Sequence, residues 1–157
     1  MIRGSVAVFA ALIGLLAGAG SLQAQWVVGV HHSTSPAADG GGSGFGARGG
    51  VALGPVALVG VADWYRPRCA QPGVSCHDRA LALHASMEVP APILRPYLVA
   101  GVGVRDRAPL PDESRRTSLL GFGLRLGVVG FDLFGEATGE RMAGHDTRLV
   151  LRAGLRF

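Results

Sequence analysis

The chain has 157 residues, fifteen basic against eleven acidic side chains for a formal charge of +4, and 48% apolar residues. That is one domain's worth of chain. Every basic residue is an arginine, which excludes Schiff-base and other lysine chemistry; the arginines alternate with apolar residues instead of forming a basic run, which argues against nucleic acid as a partner.

Residues 1–24 have the layout of a secretory signal peptide. Arg3 supplies the positive start, Ser5 to Gly20 carries no charge, and Leu22-Gln23-Ala24 ends in a small residue. Cleavage is expected after Ala24, leaving a mature domain over 25–157. The uncharged run falls short of the roughly 20 residues of a spanning helix. Beyond it no stretch is long and apolar enough for such a helix, yet the chain remains hydrophobic and glycine-rich, with 25 glycines. Strands joined by tight turns account for both facts.

The first strand is expected over Gln25–His32, with Trp26 placed for an interfacial aromatic belt, and a Gly/Ser/Pro-rich loop over Ser33–Gly42. A second strand, Ser43–Leu53, puts Phe45, Ala47, Gly49, Val51 and Leu53 on one face and Arg48 on the other. Gly54-Pro55 turns the chain into a third strand, Val56–Tyr65. A loop over Arg66–His77 holds Cys69 and Cys76, the only cysteines, and a disulfide between them is expected in an exported chain. The fourth strand, Asp78–Val89, sets Leu81, Leu83, Ala85 and Met87 against His84, Ser86 and Glu88. Pro90-Ala91-Pro92 ends it.

The fifth strand, Leu94–Arg105, alternates Leu98, Ala100, Val102 and Val104 with Arg95, Tyr97, Gly101 and Gly103. A polar loop over Asp106–Arg115 follows. The sixth strand, Arg116–Leu126, sets Leu120, Phe122 and Leu124 against Gly121, Gly123 and Arg125. After a short turn the seventh, Phe131–Thr138, sets Leu133 and Ala137 against Asp132 and Glu136. A loop over Gly139–Asp146 leads to the last strand, Thr147–Phe157, where Leu149, Leu151, Ala153, Leu155 and Phe157 alternate with Arg148, Arg152 and Arg156. A period of two throughout gives strands with one oily and one polar face.

Long and short connections alternate along the chain, which places the long ones at one end of an antiparallel set and the short ones at the other. That asymmetry, with an even strand number and outward apolar faces, predicts an all-β fold: an eight-stranded, up-and-down antiparallel transmembrane barrel. The interior of so small a barrel is filled by side chains. Alternation turns Arg48, Arg95, Arg125, Arg148, Arg152 and Arg156 inward with Asp63, Glu88, Asp132 and Glu136, joined by His84, Ser86 and Tyr97, to form a polar plug. Val59 and Val61 share the inward face of the third strand with Asp63. Glycines 101, 103, 121 and 123 are expected to leave room for arginines opposite. A filled lumen argues against a wide pore.

On the exported N-terminus, Arg95-Pro96-Tyr97-Leu98-Val99-Ala100-Gly101-Val102-Gly103, the segment Gly121 to Glu136 and the closing Leu151 to Phe157, the chain resembles the small OmpA/OmpX-type outer-membrane β-barrel domain family. The resemblance covers essentially the whole mature chain. It implies outer-membrane residence, four loops displayed outside the cell, and insertion by the β-barrel assembly machinery, with Phe157 as its C-terminal signal. Its motifs carry no catalytic signature, and a peptidoglycan-binding domain after the barrel is not expected.

His84-Ala85-Ser86 with Glu88 is similar to the His-x-Ser pair of outer-membrane lipid A deacylases, where serine and histidine act as nucleophile and base. Met87-Glu88 replaces the Asn-Ala of that family, and alternation turns the pair away from lipid. His31, His32, His145 and Asp146 gather at the loop end of two strands that close on each other, a set able to hold a divalent metal, without a tight spacing motif. Gly44-Phe45-Gly46-Ala47-Arg48-Gly49 matches a dinucleotide string but lacks the preceding strand and following helix. Arg66, Arg68, Arg107 and Arg141 near the loop end are candidates for contact with anionic headgroups or lipopolysaccharide phosphates. The expected partners are thus outer-membrane lipid and lipopolysaccharide. No enzymatic activity, cofactor or nucleic acid is expected, and the barrel is expected to be a monomer. A narrow channel and a soluble ligand carrier are the remaining alternatives.

Overall fold

Alternation of apolar with polar or small residues leaves each segment one face for an oily surround and one for a polar interior, and the backbone follows that pattern. The computed structural model describes residues 24–35, 42–66, 77–108, 115–142 and 147–157. They form β1 (Ala24–Thr34), β2 (Ser43–Leu53), β3 (Val56–Tyr65), β4 (His77–Glu88), β5 (Leu94–Ala108), β6 (Arg115–Val128), β7 (Phe131–Met142) and β8 (Thr147–Arg156). Each strand pairs antiparallel with its sequence neighbours, and β8 pairs with β1 to close the barrel. The expected signal peptide over 1–24 falls outside the described residues except for Ala24, which opens β1.

The loop-end boundaries differ from expectation. β5 runs on to Ala108 and β7 to Met142, while β6 already starts at Arg115. Glu140-Arg141, expected in a loop, continues the period of two, because ladder pairing with β8 rewards extension wherever the alternation persists. The connection over 143–146 is consequently no longer than the proline-containing turn over 89–93. At the turn end, Gly54 and Gly130 hold φ of 59° and 87°, a region glycine adopts without a steric penalty.

Crossing the sheet perpendicular to the strands from Ala24 passes Leu53, Val56, Met87, Leu98, Phe122, Ala137 and Leu151, and returns to β1 at Thr34. The circuit therefore closes ten residues further along β1. A stagger of that size over eight strands tilts them by about 41° and sets a backbone radius of about 8 Å. A ten-residue strand at that tilt rises about 25 Å, the height of a barrel's apolar band.

The two faces differ as the alternation requires. Outside, large apolar side chains stand bare all round: Leu98 is 59% exposed, Leu120 69% and Phe122 62%. Trp26, with the Phe131–Phe157 pair (ring centroids 6.4 Å apart), marks the turn end, and Phe45 and Trp64 mark the loop end. Inside, two small apolar clusters brace the wall. Val27, Ala52, Ala57, Val59 and Val61 form one, which explains the valines on the inward face of β3; Tyr97, Val99 and Leu119 form the other.

Candidate functional site

Three ionic layers fill the lumen. At the turn end, Arg95 Nη2 donates to Asp132 Oδ1 at 2.6 Å and lies 3.4 Å from Glu88 through Nη1, while Arg125 pairs with Glu88. Two guanidiniums face two carboxylates there. Arg125 also stacks over the Tyr97 ring, 5.2 Å from its centroid, and the Tyr97 hydroxyl donates to Glu136 Oε2 at 3.2 Å. That ring links the turn-end layer to the next.

The middle layer is built around Arg152, which is 3% exposed. Its Nη2 donates to Asp63 Oδ2 at 3.0 Å and Glu140 Oε1 at 2.7 Å, and its Nη1 to Thr138 Oγ1 at 2.9 Å and Glu136 Oε1 at 3.4 Å. Arg48 reaches Glu136 at 3.4 Å and stacks on Phe134 at 3.9 Å. His31 is hydrogen-bonded to Asp63 Oδ1 at 2.8 Å, and His84 Nδ1 stands 3.9 Å from Glu136. Six strands thus contribute to one network. Buried charges unpaired in this way would cost several kcal/mol each; paired and hydrogen-bonded they are tolerated.

At the loop end, Arg105 forms a two-pronged pair with Asp78, Nε to Oδ1 at 2.8 Å and Nη2 to Oδ2 at 2.6 Å. Arg105 and Arg148 both lie over the Tyr65 ring, 4.4 Å and 5.1 Å from its centroid. Arg148 Nε donates to Ser35 Oγ at 2.5 Å, and that hydroxyl donates to the Leu149 carbonyl at 2.9 Å, so a serine and a phenol hold it.

The lumen network takes up some of the residues expected to plug it and adds others. Arg48, Glu88, Arg95, Arg125, Asp132, Glu136 and Arg152 enter it as ion pairs. Arg156 is half-buried and makes no ion pair among the described residues. Asp78, Arg105, Thr138, Glu140 and His31 belong to it unforeseen, although continued alternation from Glu136 to Glu140 or from His84 back to Asp78 marks them as inward. At glycines 101, 103, 121 and 123 the atoms nearest an added Cβ belong to no arginine, whereas Gly29 and Gly127 do lie beside Arg48 and Arg95. A Cβ on Gly123 would strike the Tyr97 ring, one on Gly46 the His31 ring, and one on Gly121 the backbone at Thr138. They accommodate flat or branched neighbours on the adjacent strand.

The two described members of the alternative metal set, His31 and His32, do not converge. His31 points into the lumen, bonded to Asp63, whereas His32 points outward with its ring 5.5 Å from that of Phe45, because adjacent residues of a strand face opposite ways. His145 and Asp146 lie outside the described residues, as do Cys69, Cys76 and Arg68. His84, Ser86 and Glu88 all take the lumen side of β4, with His84 buried. Gly44 to Gly49 lies within β2, with no helix following it. Of the expected rim arginines, Arg66 and Arg141 are exposed, but Arg107 shares the inward parity of Arg105. Arg79 and Arg116, not anticipated, face outward at the loop ends of β4 and β6. Four exposed arginines, one just after β3 and one each on β4, β6 and β7, therefore border the apolar band at the loop end, where the turn end shows Leu53, Met87, Leu94, Leu126 and Leu133.

The backbone is similar to that of Neisserial surface protein A, at 18% identity and a TM-score of 0.59, covering 85% of this chain and 97% of that one. It is also similar to Ail, the attachment invasion locus protein of Yersinia pestis, at 15% identity and a TM-score of 0.52, with 85% and 97% covered. The likeness is one of fold, a closed eight-stranded antiparallel barrel. No protein-family model and no curated protein matches the chain.

Proposed function

We propose that this protein is a small outer-membrane β-barrel whose role is structural and surface-interacting, with its loop end outside the cell. The observation that carries this is the inversion of a soluble protein's layout: bare Leu, Val and Phe around the whole circumference and guanidinium–carboxylate networks on the axis. Water would be a poor solvent for that exterior, and hydrocarbon a good one. The four arginines bordering the band at the loop end suit the phosphate-rich outer leaflet, so lipid and lipopolysaccharide are the proposed partners. Phe157, exposed at the end of β8, suits recognition by the barrel assembly machinery, and the closed sheet needs no second copy to cap its edges. A lipid-modifying enzyme is the less supported alternative, since the lumen-facing His84 and Ser86 would have to reach lipid through the wall. A channel has to pass three layers of paired side chains.

Cell fractionation with gel mobility before and after boiling tests the proposal. The expected result is recovery in the outer-membrane fraction and a band that migrates differently once boiled. Partition into the aqueous phase without detergent would refute it.

A further inference from the structure

A concavity lies on the outer wall of the barrel, across β2 to β6. Its lining falls on three successive rows of the ladder. Ala47, Ala62, Leu81, Val104 and Arg116 form one row, and Gly49, Gly60, Leu83 and Val102 another; both point outward. The row between them, from Arg48 to Thr117, points inward and contributes backbone as the floor. The result is a furrow of about 740 Å³ running across the strands between two ridges of side chains.

Its course follows from the stagger. A row perpendicular to tilted strands climbs the barrel as it goes round, as the return from Ala24 to Thr34 shows. From the small residues of β2 and β3 the furrow ascends past Leu81 and Val104 and ends on Arg116, at the loop-end border of the apolar band. Arg79 stands one outward position above Leu81, between Trp64 and Asp106 in the ladder. Asp106 is engaged by His77 at 2.9 Å. At its deep end the furrow has glycine and alanine, which let an occupant lie against the backbone; at its high end it has guanidinium.

An apolar channel that terminates in positive charge complements a fatty chain that terminates in negative charge. We infer that the furrow across β2 to β6 holds one acyl chain of a lipid with a net anionic phosphate headgroup, the phosphate meeting Arg116 and Arg79. This inference rests on placing the barrel in an outer membrane, and it makes the barrel a selector of its boundary lipid.

The test uses the Trp26→Phe protein in nanodiscs, where Trp64, the next outward residue after Ala62, is the one remaining tryptophan. Brominated phosphatidic acid and brominated phosphatidylcholine, each at a low mole fraction in unlabelled phosphatidylcholine, report contact by quenching it. The anionic lipid is expected to associate about fivefold more strongly. Arg116→Gln should bring the ratio towards one. Gly60→Leu should fill the furrow and do the same with the rim charge intact, since a Cβ there meets nothing nearer than the Gly49 carbonyl at 3.6 Å. Equal quenching by both lipids, a preference untouched by Gly60→Leu, or two barrels cross-linked through this wall would each overturn the furrow. Those outcomes leave the membrane assignment standing; a barrel found in the aqueous fraction sinks both.

Discussion

Among single residues, Arg152 holds together more than any other. Removing it leaves the buried Glu140 with no ion pair among the described residues, Asp63 with His31 and Glu136 with Arg48 and the Tyr97 hydroxyl. Arg152→Met is therefore expected to cost about 3–5 kcal/mol, the range for breaking a buried ionic cluster on one side. Urea unfolding followed by gel mobility measures it. Adding Glu140→Gln should return part of the loss, as coupled neighbours do in a double-mutant cycle. Gly123 is a second sensitive position. An added methyl must displace the Tyr97 ring and with it the hydroxyl's bond to Glu136, so Gly123→Ala should cost about 1–3 kcal/mol, an overpacking effect measured by the same unfolding transition. The inward side of most of these residues could be read from parity alone. Which partner each meets could not: Arg48 and Glu136 are 88 residues apart in sequence, and only closure of the barrel brings them face to face.

Most strands were legible because they keep a period of two, from Leu81 to Met87 on β4 as from Leu149 to Leu155 on β8, whereas β3 carries apolar residues on both faces up to Asp63. Their loop-end limits were not. Polar residues such as Glu140 and Arg141 look like loop in isolation and become strand only because β8 offers a ladder to pair with. The weakest joint is the closure of β8 on β1. Its register runs from Gly29↔Arg156 to Thr34↔Leu151, whereas β1 and β2 pair along the whole of β1. The last rungs are Phe157 N–H to the Val28 carbonyl at 2.8 Å and Val28 N–H to the Phe157 carbonyl at 3.2 Å. Below them the seam-facing amide of Trp26 has no rung on β8, while the Val27 amide faces β2. Hydrogen exchange on the lipid-embedded barrel should show Trp26 exchanging well ahead of Val27. Equal protection of the two would mean that the seam is longer than its pairing implies.

Over the whole molecule, oily wall and charged axis stabilise each other's placement. A register slip of one residue on any strand would exchange the two faces, forcing arginine into hydrocarbon and leucine among carboxylates, so one closure is strongly preferred over its neighbours. The ionic layers thereby select the fold as much as they fill it. Closure ten residues out of step also fixes the bore, because strand number and offset together determine a cylinder's girth. A wider tube does not require a ninth strand. Moving the junction of β8 with β1 two positions so that the offset grows, which keeps every side chain on its present face, would enlarge the circumference, pull the Arg152 cluster apart and let water into the axis.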